Sequence, residues 1–159
     1  MLKRIFWTGL LMIVSSVLAA CSTAAAGPEF PMLDGDTTTL ADYEGQVVVV
    51  NFWATWCGPC RVEMPTLQAF YEEHGSGDFE LLAVNIGETP ETAQGFVDEG
   101  GFTFPIVLDP NGTLYDYFGV RGQPSTFVLD RSGEIVFSHT GLITREQIDE
   151  AVLPLLEES

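Results

Sequence analysis

The stretch Asn51-Phe52-Trp53-Ala54-Thr55-Trp56-Cys57-Gly58-Pro59-Cys60-Arg61 decides the architecture of this chain. Its first half closes a nearly continuous apolar run at 47–54, rich in β-branched and aromatic residues. Such a run is the pattern of a strand buried on both faces. Its second half opens a helix predicted over 59–73, where Cys60, Met64, Leu67 and Tyr71 recur at helical spacing. Pro65 is expected to kink that helix, and His74-Gly75-Ser76-Gly77 to end it. A strand that feeds a helix through Cys-Gly-Pro-Cys sets two thiols one turn apart on one face, close enough for a disulfide. Cys57 falls at the helix N-terminus, where free N–H groups and the helix dipole favour a thiolate. Cys60 falls inside the first turn, shielded. Cys57 is therefore the expected attacking sulfur and Cys60 the resolving one.

Other readings of the pair fit less well. Zinc needs about four ligands, and the other candidates, His74 and His139, lack finger-like spacing. An inert structural disulfide leaves unexplained the neighbouring Trp56 and the position between strand and helix. Trp56 is expected to cover the disulfide, Phe52 and Trp53 to be core, and both histidines to lie at the surface. Arg61 either tunes the thiolate or is solvated.

Outward from this centre the pattern alternates. Before it, 30–33 and 37–40 flank Asp34-Gly35, a hairpin signal. After it come a buried strand at 79–86 and a helix begun by Thr89-Pro90 and stopped at Gly100-Gly101. A short extended piece at 103–108, a short helix at 113–118 and strands at 125–130 and 134–139 follow. Thr144 and Gln147 form a capping box for a last helix whose apolar face carries Ile148, Ala151, Val152, Leu155 and Leu156. Strands alternating with helices predict an α/β fold, a central mixed sheet with helices on both faces.

The first residues read as an address. Lys3 and Arg4 precede an apolar run at 5–18, which Leu18-Ala19-Ala20-Cys21 closes. That is the order of a secretory signal, too short for the ~20 apolar residues of a spanning helix. The close resembles a bacterial lipobox, which implies lipid on Cys21. Residues 1–20 are then a lipoprotein signal peptide, 21–29 a lipidated tether and 30–159 the folded domain. An ordinary signal peptide, or an uncleaved short anchor with Cys21 incidental, is the other reading. Lipid on Cys21 leaves Cys57 and Cys60 as an even pair in an oxidising compartment.

Without residues 1–20, four arginines face 23 acidic residues, a charge of −19 with no lysine. Such a surface repels nucleic acid and anionic headgroups, so membrane attachment is expected through lipid. A high-salt host would tolerate the self-repulsion. The length of 159 residues suits one domain with a real core.

Four segments together resemble the thioredoxin fold, and specifically the membrane-tethered TlpA/ResA-like thiol-disulfide oxidoreductases. They are Asn51 to Arg61 as quoted, Glu63-Met64-Pro65, Val84-Asn85-Ile86-Gly87-Glu88, and Gly122-Gln123-Pro124-Ser125-Thr126-Phe127. The resemblance covers most of 30–156. It implies a three-layer α/β/α sandwich with the N-terminal β-hairpin added. It makes Pro124 a cis-proline facing the disulfide, with Gln123 offering its backbone to an extended substrate strand. Trp56, Gly58 and Pro59 complete the expected client surface. Glu63, three residues after Cys60 on the same helix face, is the expected proton relay, since a carboxylate buried near thiols has a raised pKa. Thioredoxins of the cytosol instead carry an aspartate where Asn51 stands. Glu88 is implied to line the same cavity. Bland alternatives are a solvated helix carboxylate for Glu63 and a loop charge for Glu88.

The expected function is extracytoplasmic thiol-disulfide exchange with no cofactor beyond the Cys57–Cys60 pair and no metal. Cys-Gly-Pro-Cys suggests a reductant, since thioredoxin sits at about −270 mV and the oxidant DsbA at about −120 mV. The resemblance implies apocytochrome c as client and a membrane electron donor of the DsbD/CcdA type, on the outer side of a bacterial membrane. A disulfide-forming or repair enzyme on the same site stays open. A peroxiredoxin-like peroxidase lacks its upstream Pro-x-x-x-Thr-x-x-Cys, and a copper chaperone would want Cys-x-x-x-Cys plus a placed histidine.

Overall fold

The computed structural model describes residues 28–75 and 77–157. The signal segment 1–20, Cys21 and nearly all of the tether lie outside the described residues. The order is β1 (Phe30–Pro31), β2 (Thr37–Thr38), a 3-10 turn (Leu40–Tyr43), β3 (Val47–Trp53), α1 (Gly58–His74), β4 (Phe79–Ile86), α2 (Pro90–Gly100), β5 (Ile106–Asp109), α3 (Thr113–Tyr117), β6 (Ser125–Leu129), β7 (Ile135–Thr140) and α4 (Arg145–Glu157). Five strands form one mixed sheet in the order β5-β4-β3-β6-β7. β4 runs parallel to β3 and to β5, while β6 is antiparallel to β3 and to β7.

The apolar run at 47–54 is the central strand because it has no polar face to give to water; all seven residues of β3 are buried. Side chains alternate across it. Val47, Val49 and Trp53 pack with α1, α2 and α4, through Met64, Leu67, Phe96, Ile148 and Val152 among others. Val48, Val50 and Phe52 pack on the other side with Leu114, Phe118 and Phe30. This is the expected three-layer sandwich, with three helices on one face and α3, the 3-10 turn and the hairpin on the other. Phe52 and Trp53 are core, as predicted.

Two local expectations differ in extent. The hairpin strands are two residues each, because Leu40 enters a 3-10 turn that Asp42 locks by accepting from Thr39 N–H at 2.7 Å. The hairpin is a separate two-stranded sheet that meets the edge strand β5 through one bridge, Met32 to Val107, and through Leu33 N–H donating to the Ile106 carbonyl at 2.9 Å. The segment 103–108 becomes strand only from Ile106, because Gln68 of α1 captures Thr103 through both backbone and side chain and Pro105 has no N–H for a ladder. Helix α1 passes through Pro65, which lies on its exposed side, and ends at His74 as expected.

Candidate active site

Strand β3 delivers the chain to the edge of the core, and Ala54-Thr55-Trp56 carries it to Cys57, the N-cap of α1. Cys57 Sγ accepts the Cys60 N–H at 3.3 Å, the interaction that also favours a thiolate on this sulfur. Pro59 occupies the first turn, where the N–H it lacks would have no intrahelical partner. The two sulfurs are bonded, with Cα atoms 5.3 Å apart. Cys60 is fully buried and Cys57 is 5% exposed. Above them the helix tip is open: a side chain at Gly58 would meet nothing within 4 Å.

Glu63 lies one turn below Cys60 and is 1% exposed. The solvated alternative is therefore wrong for this residue. Its Oε1 accepts from Asn51 Nδ2 at 2.8 Å and its Oε2 from Ile143 N–H at 2.9 Å. Burial pushes the carboxyl pKa from 4.5 up to about 7, against the lowering effect of those two hydrogen bonds. Asn51 sits on the α1 side of β3 and pairs directly across the ladder with Thr126. Its Nδ2 also donates to Thr126 Oγ1 at 3.0 Å, and its Oδ1 has no protein partner. The ligands of Glu63 thus come from a strand and from a loop eighty residues away in sequence. Neither Thr126 nor Ile143 carries a sequence signal for this site, and Asn51 carries one only as the place where a strand aspartate is missing.

Glu88 belongs to a different network. It accepts from Thr55 N–H at 2.9 Å, Thr55 Oγ1 at 2.5 Å and Asn85 Nδ2 at 2.7 Å. It pins the loop that carries Trp56 and makes no hydrogen bond to Glu63. Arg61 braces the same loop from the helix side, its guanidinium 5.0 Å from the Phe96 ring centre and donating to the Thr55 carbonyl at 3.4 Å.

The Gln123–Pro124 bond is cis. Phe52 pairs with Ser125, so Pro124 stands level with the end of β3 where the cysteine loop departs. Gln123 and Trp56 line one open groove of about 450 Å³ with Ile86, Gly112, Tyr115 and Gly122. Trp56 is 71% exposed, so packing does not explain it. The structure brings Cys57, Cys60 and Glu63 together, and places Trp56 and Gln123 on a common wall. His74 lies against Phe70 with the rings tilted, 4.6 Å between centres, and His139 bonds to the Leu142 carbonyl. No group of three or more His, Cys, Asp or Glu side chains among the described residues could hold a metal.

A thioredoxin-type sandwich with a Cys-x-x-Cys disulfide capping its first long helix defines a thiol-disulfide oxidoreductase. The model of the AhpC/TSA family matches residues 23–138. The ResA thiol-disulfide oxidoreductase of Halalkalibacterium halodurans is 41% identical over 118 residues, 74% of this chain and 67% of that protein. The crystal structure of StoA from Bacillus subtilis superposes with a TM-score of 0.68 at 32% identity, covering 77% of this chain and 93% of that one. A secreted thiol-disulfide isomerase from Corynebacterium glutamicum gives 0.76 at 30% identity, covering 82% and 84%. The chain belongs to the AhpC/TSA family and, within it, to the thiol-disulfide oxidoreductases of ResA type.

Proposed function

We propose that this oxidoreductase reduces disulfides of protein clients outside the cytoplasm, anchored through lipid on Cys21. The Cys57 thiolate attacks one sulfur of a client disulfide, forming a mixed disulfide and expelling the other sulfur as thiolate. Cys60 then gives up its proton and attacks Cys57 Sγ, which closes the Cys57–Cys60 bond and frees the second client thiol. Two electrons and two protons pass to the client in all. Glu63 accepts the Cys60 proton, and its carboxylate can do so because its pKa lies near neutrality. That buried carboxyl, one turn from the resolving cysteine, is the observation that carries this reading.

The client lies along the groove between Trp56 and Gln123, pairing with the Gln123 backbone beside Pro124, over the open tip at Gly58 and Pro59. Glu88 serves by holding the loop that bears Trp56. The oxidised haem-binding cysteine pair of apocytochrome c is the client we favour, by similarity to ResA-like proteins. A reductant in an oxidising compartment has to be recharged, so a membrane dithiol donor of the DsbD/CcdA type is its second partner.

Trapping with Cys60→Ala in the native cell tests this. The lone Cys57 is expected to freeze as mixed disulfides with a cytochrome precursor and with a membrane donor. Capture of no protein, together with turnover of peroxide by the wild type, would overturn the proposal. The Cys57–Cys60 potential, read against glutathione, separates a reductant near thioredoxin from a disulfide-forming enzyme.

A further inference from the structure

Two backbone N–H groups of one short loop reach both halves of the site. The loop at 141–144 joins β7 to α4. Gly141 N–H donates to the Pro124 carbonyl at 2.8 Å, and Ile143 N–H donates to Glu63 Oε2 at 2.9 Å. The donors are two residues apart, a span of at most ~7 Å in extended chain.

The loop has little freedom. Gly141 has φ +107, a conformation that a side chain disfavours. The Leu142 carbonyl accepts from His139 Nε2 at 3.2 Å. Ile143 is 1% exposed, packed in the core that contains Met64 and Ile148. Thr144 and Gln147 close the helix start through reciprocal bonds of 2.9 and 3.3 Å, and Arg145 is clamped by Glu73 of α1 and Asp149 of α4. A loop fixed this way transmits a displacement instead of absorbing it.

We propose that the 141–144 loop is a positioning element that couples the proline-bearing wall of the client groove to the Glu63 carboxylate. A client strand seated on Gln123-Pro124 shifts the Pro124 carbonyl. Gly141 follows, and the Ile143 N–H lengthens or shortens its bond to Glu63. An N–H donated to a carboxylate stabilises the charged form, so the loop sets how readily Glu63 takes up the Cys60 proton when a client is present. The carboxyl accepts from the Asn51 amide of β3 and from the loop N–H, with Cys60 one turn away on α1. The titratable and charged side chains flanking the loop are His139 of β7, Arg145 and Asp149 of α4 and Glu73 of α1. The consequence for exchange rests on the proposed role of Glu63; the coupling itself does not.

Amide shifts of the oxidised protein, followed by NMR through neutral pH, test this directly. The Ile143 and Gly141 amides and the Pro124 carbonyl carbon are expected to titrate on one curve with a shared midpoint. Glu63→Gln should abolish that curve, which a histidine titration would survive. Gly141→Ala, which disfavours the φ the loop needs, should move the Ile143 midpoint upward. Flat Gly141 and Pro124 shifts beneath a titrating Ile143, or an unmoved midpoint in Gly141→Ala, would overturn the coupling. Failure of the proton-carrier role looks different: client reduction by Glu63→Gln would be unimpaired while the wild-type curves remained shared.

Discussion

Two glutamates flank the same cysteine loop, and the fold uses them in opposite ways. Glu63 points into the core beneath Cys60, where two neutral donors do not offset the water it has lost, and its pKa rises to about 7. Glu88 sits half-buried in the turn after β4 and accepts three hydrogen bonds, each from a group that shapes the loop. Closeness to the cysteines does not set the role of an acid. The balance between donors and lost solvent does.

Four experiments press on this contrast. The largest effect is expected from Glu63→Gln. It keeps the shape, and an Asn51 amide turned to present Oδ1 could meet the new NH2. Client reduction should nonetheless fall by about 10²-fold at neutral pH, the scale of a lost proton carrier, and the pH–rate profile should flatten. Stopped-flow reduction of a peptide disulfide measures both, and an unchanged profile would make Glu63 equivalent to Glu88.

Next is stability against pH. The folded-state pKa of Glu63 lies above the unfolded value, so the folded state binds the extra proton between pH 4.5 and about 7. The contribution of Glu63 to stability is fully present below that window and falls by about 3 kcal/mol as the pH rises through it. Urea unfolding across this range should show the slope in the wild type and lose this component in Glu63→Gln.

Glu88→Ala should cost less, about 1–3 kcal/mol, by orphaning the Thr55 and Asn85 donors. It should slow exchange by several-fold through the loop while leaving the Glu63 midpoint where it is. Denaturant melts and the carboxyl titration together check this, and a moved midpoint would join the two networks that the structure separates. The smallest stability effect belongs to Trp56→Ala: within about 0.5 kcal/mol at an exposed site, with a raised KM for an extended peptide disulfide.

The sequence shows the strand, the cysteine turn and the first helix plainly, because a two-face apolar strand and a Cys-Gly-Pro-Cys helix start each leave a local signature. The stop of α2 at Gly100-Gly101 and the capping box at Thr144 are equally local. Less local facts escape. Thr103 is withheld from β5 by Gln68, a residue of another helix. Thr126 joins the site only because β6 pairs with β3 in one particular register. The Ile143 donor is a backbone N–H, which no residue type announces. The resemblance implies that Glu88 lines the cavity of Glu63, and nothing in the sequence announces its hydrogen bonds to Thr55 and Asn85.

The central claim is that a carboxyl near neutrality lies one turn from the resolving cysteine. Selective carbon labelling of glutamate side chains allows the Glu63 carboxyl of the oxidised protein to be titrated by NMR, with Glu63→Gln for assignment. The account predicts a midpoint near the value of about 7. A midpoint at the ordinary 4.5 of an exposed glutamate would contradict it.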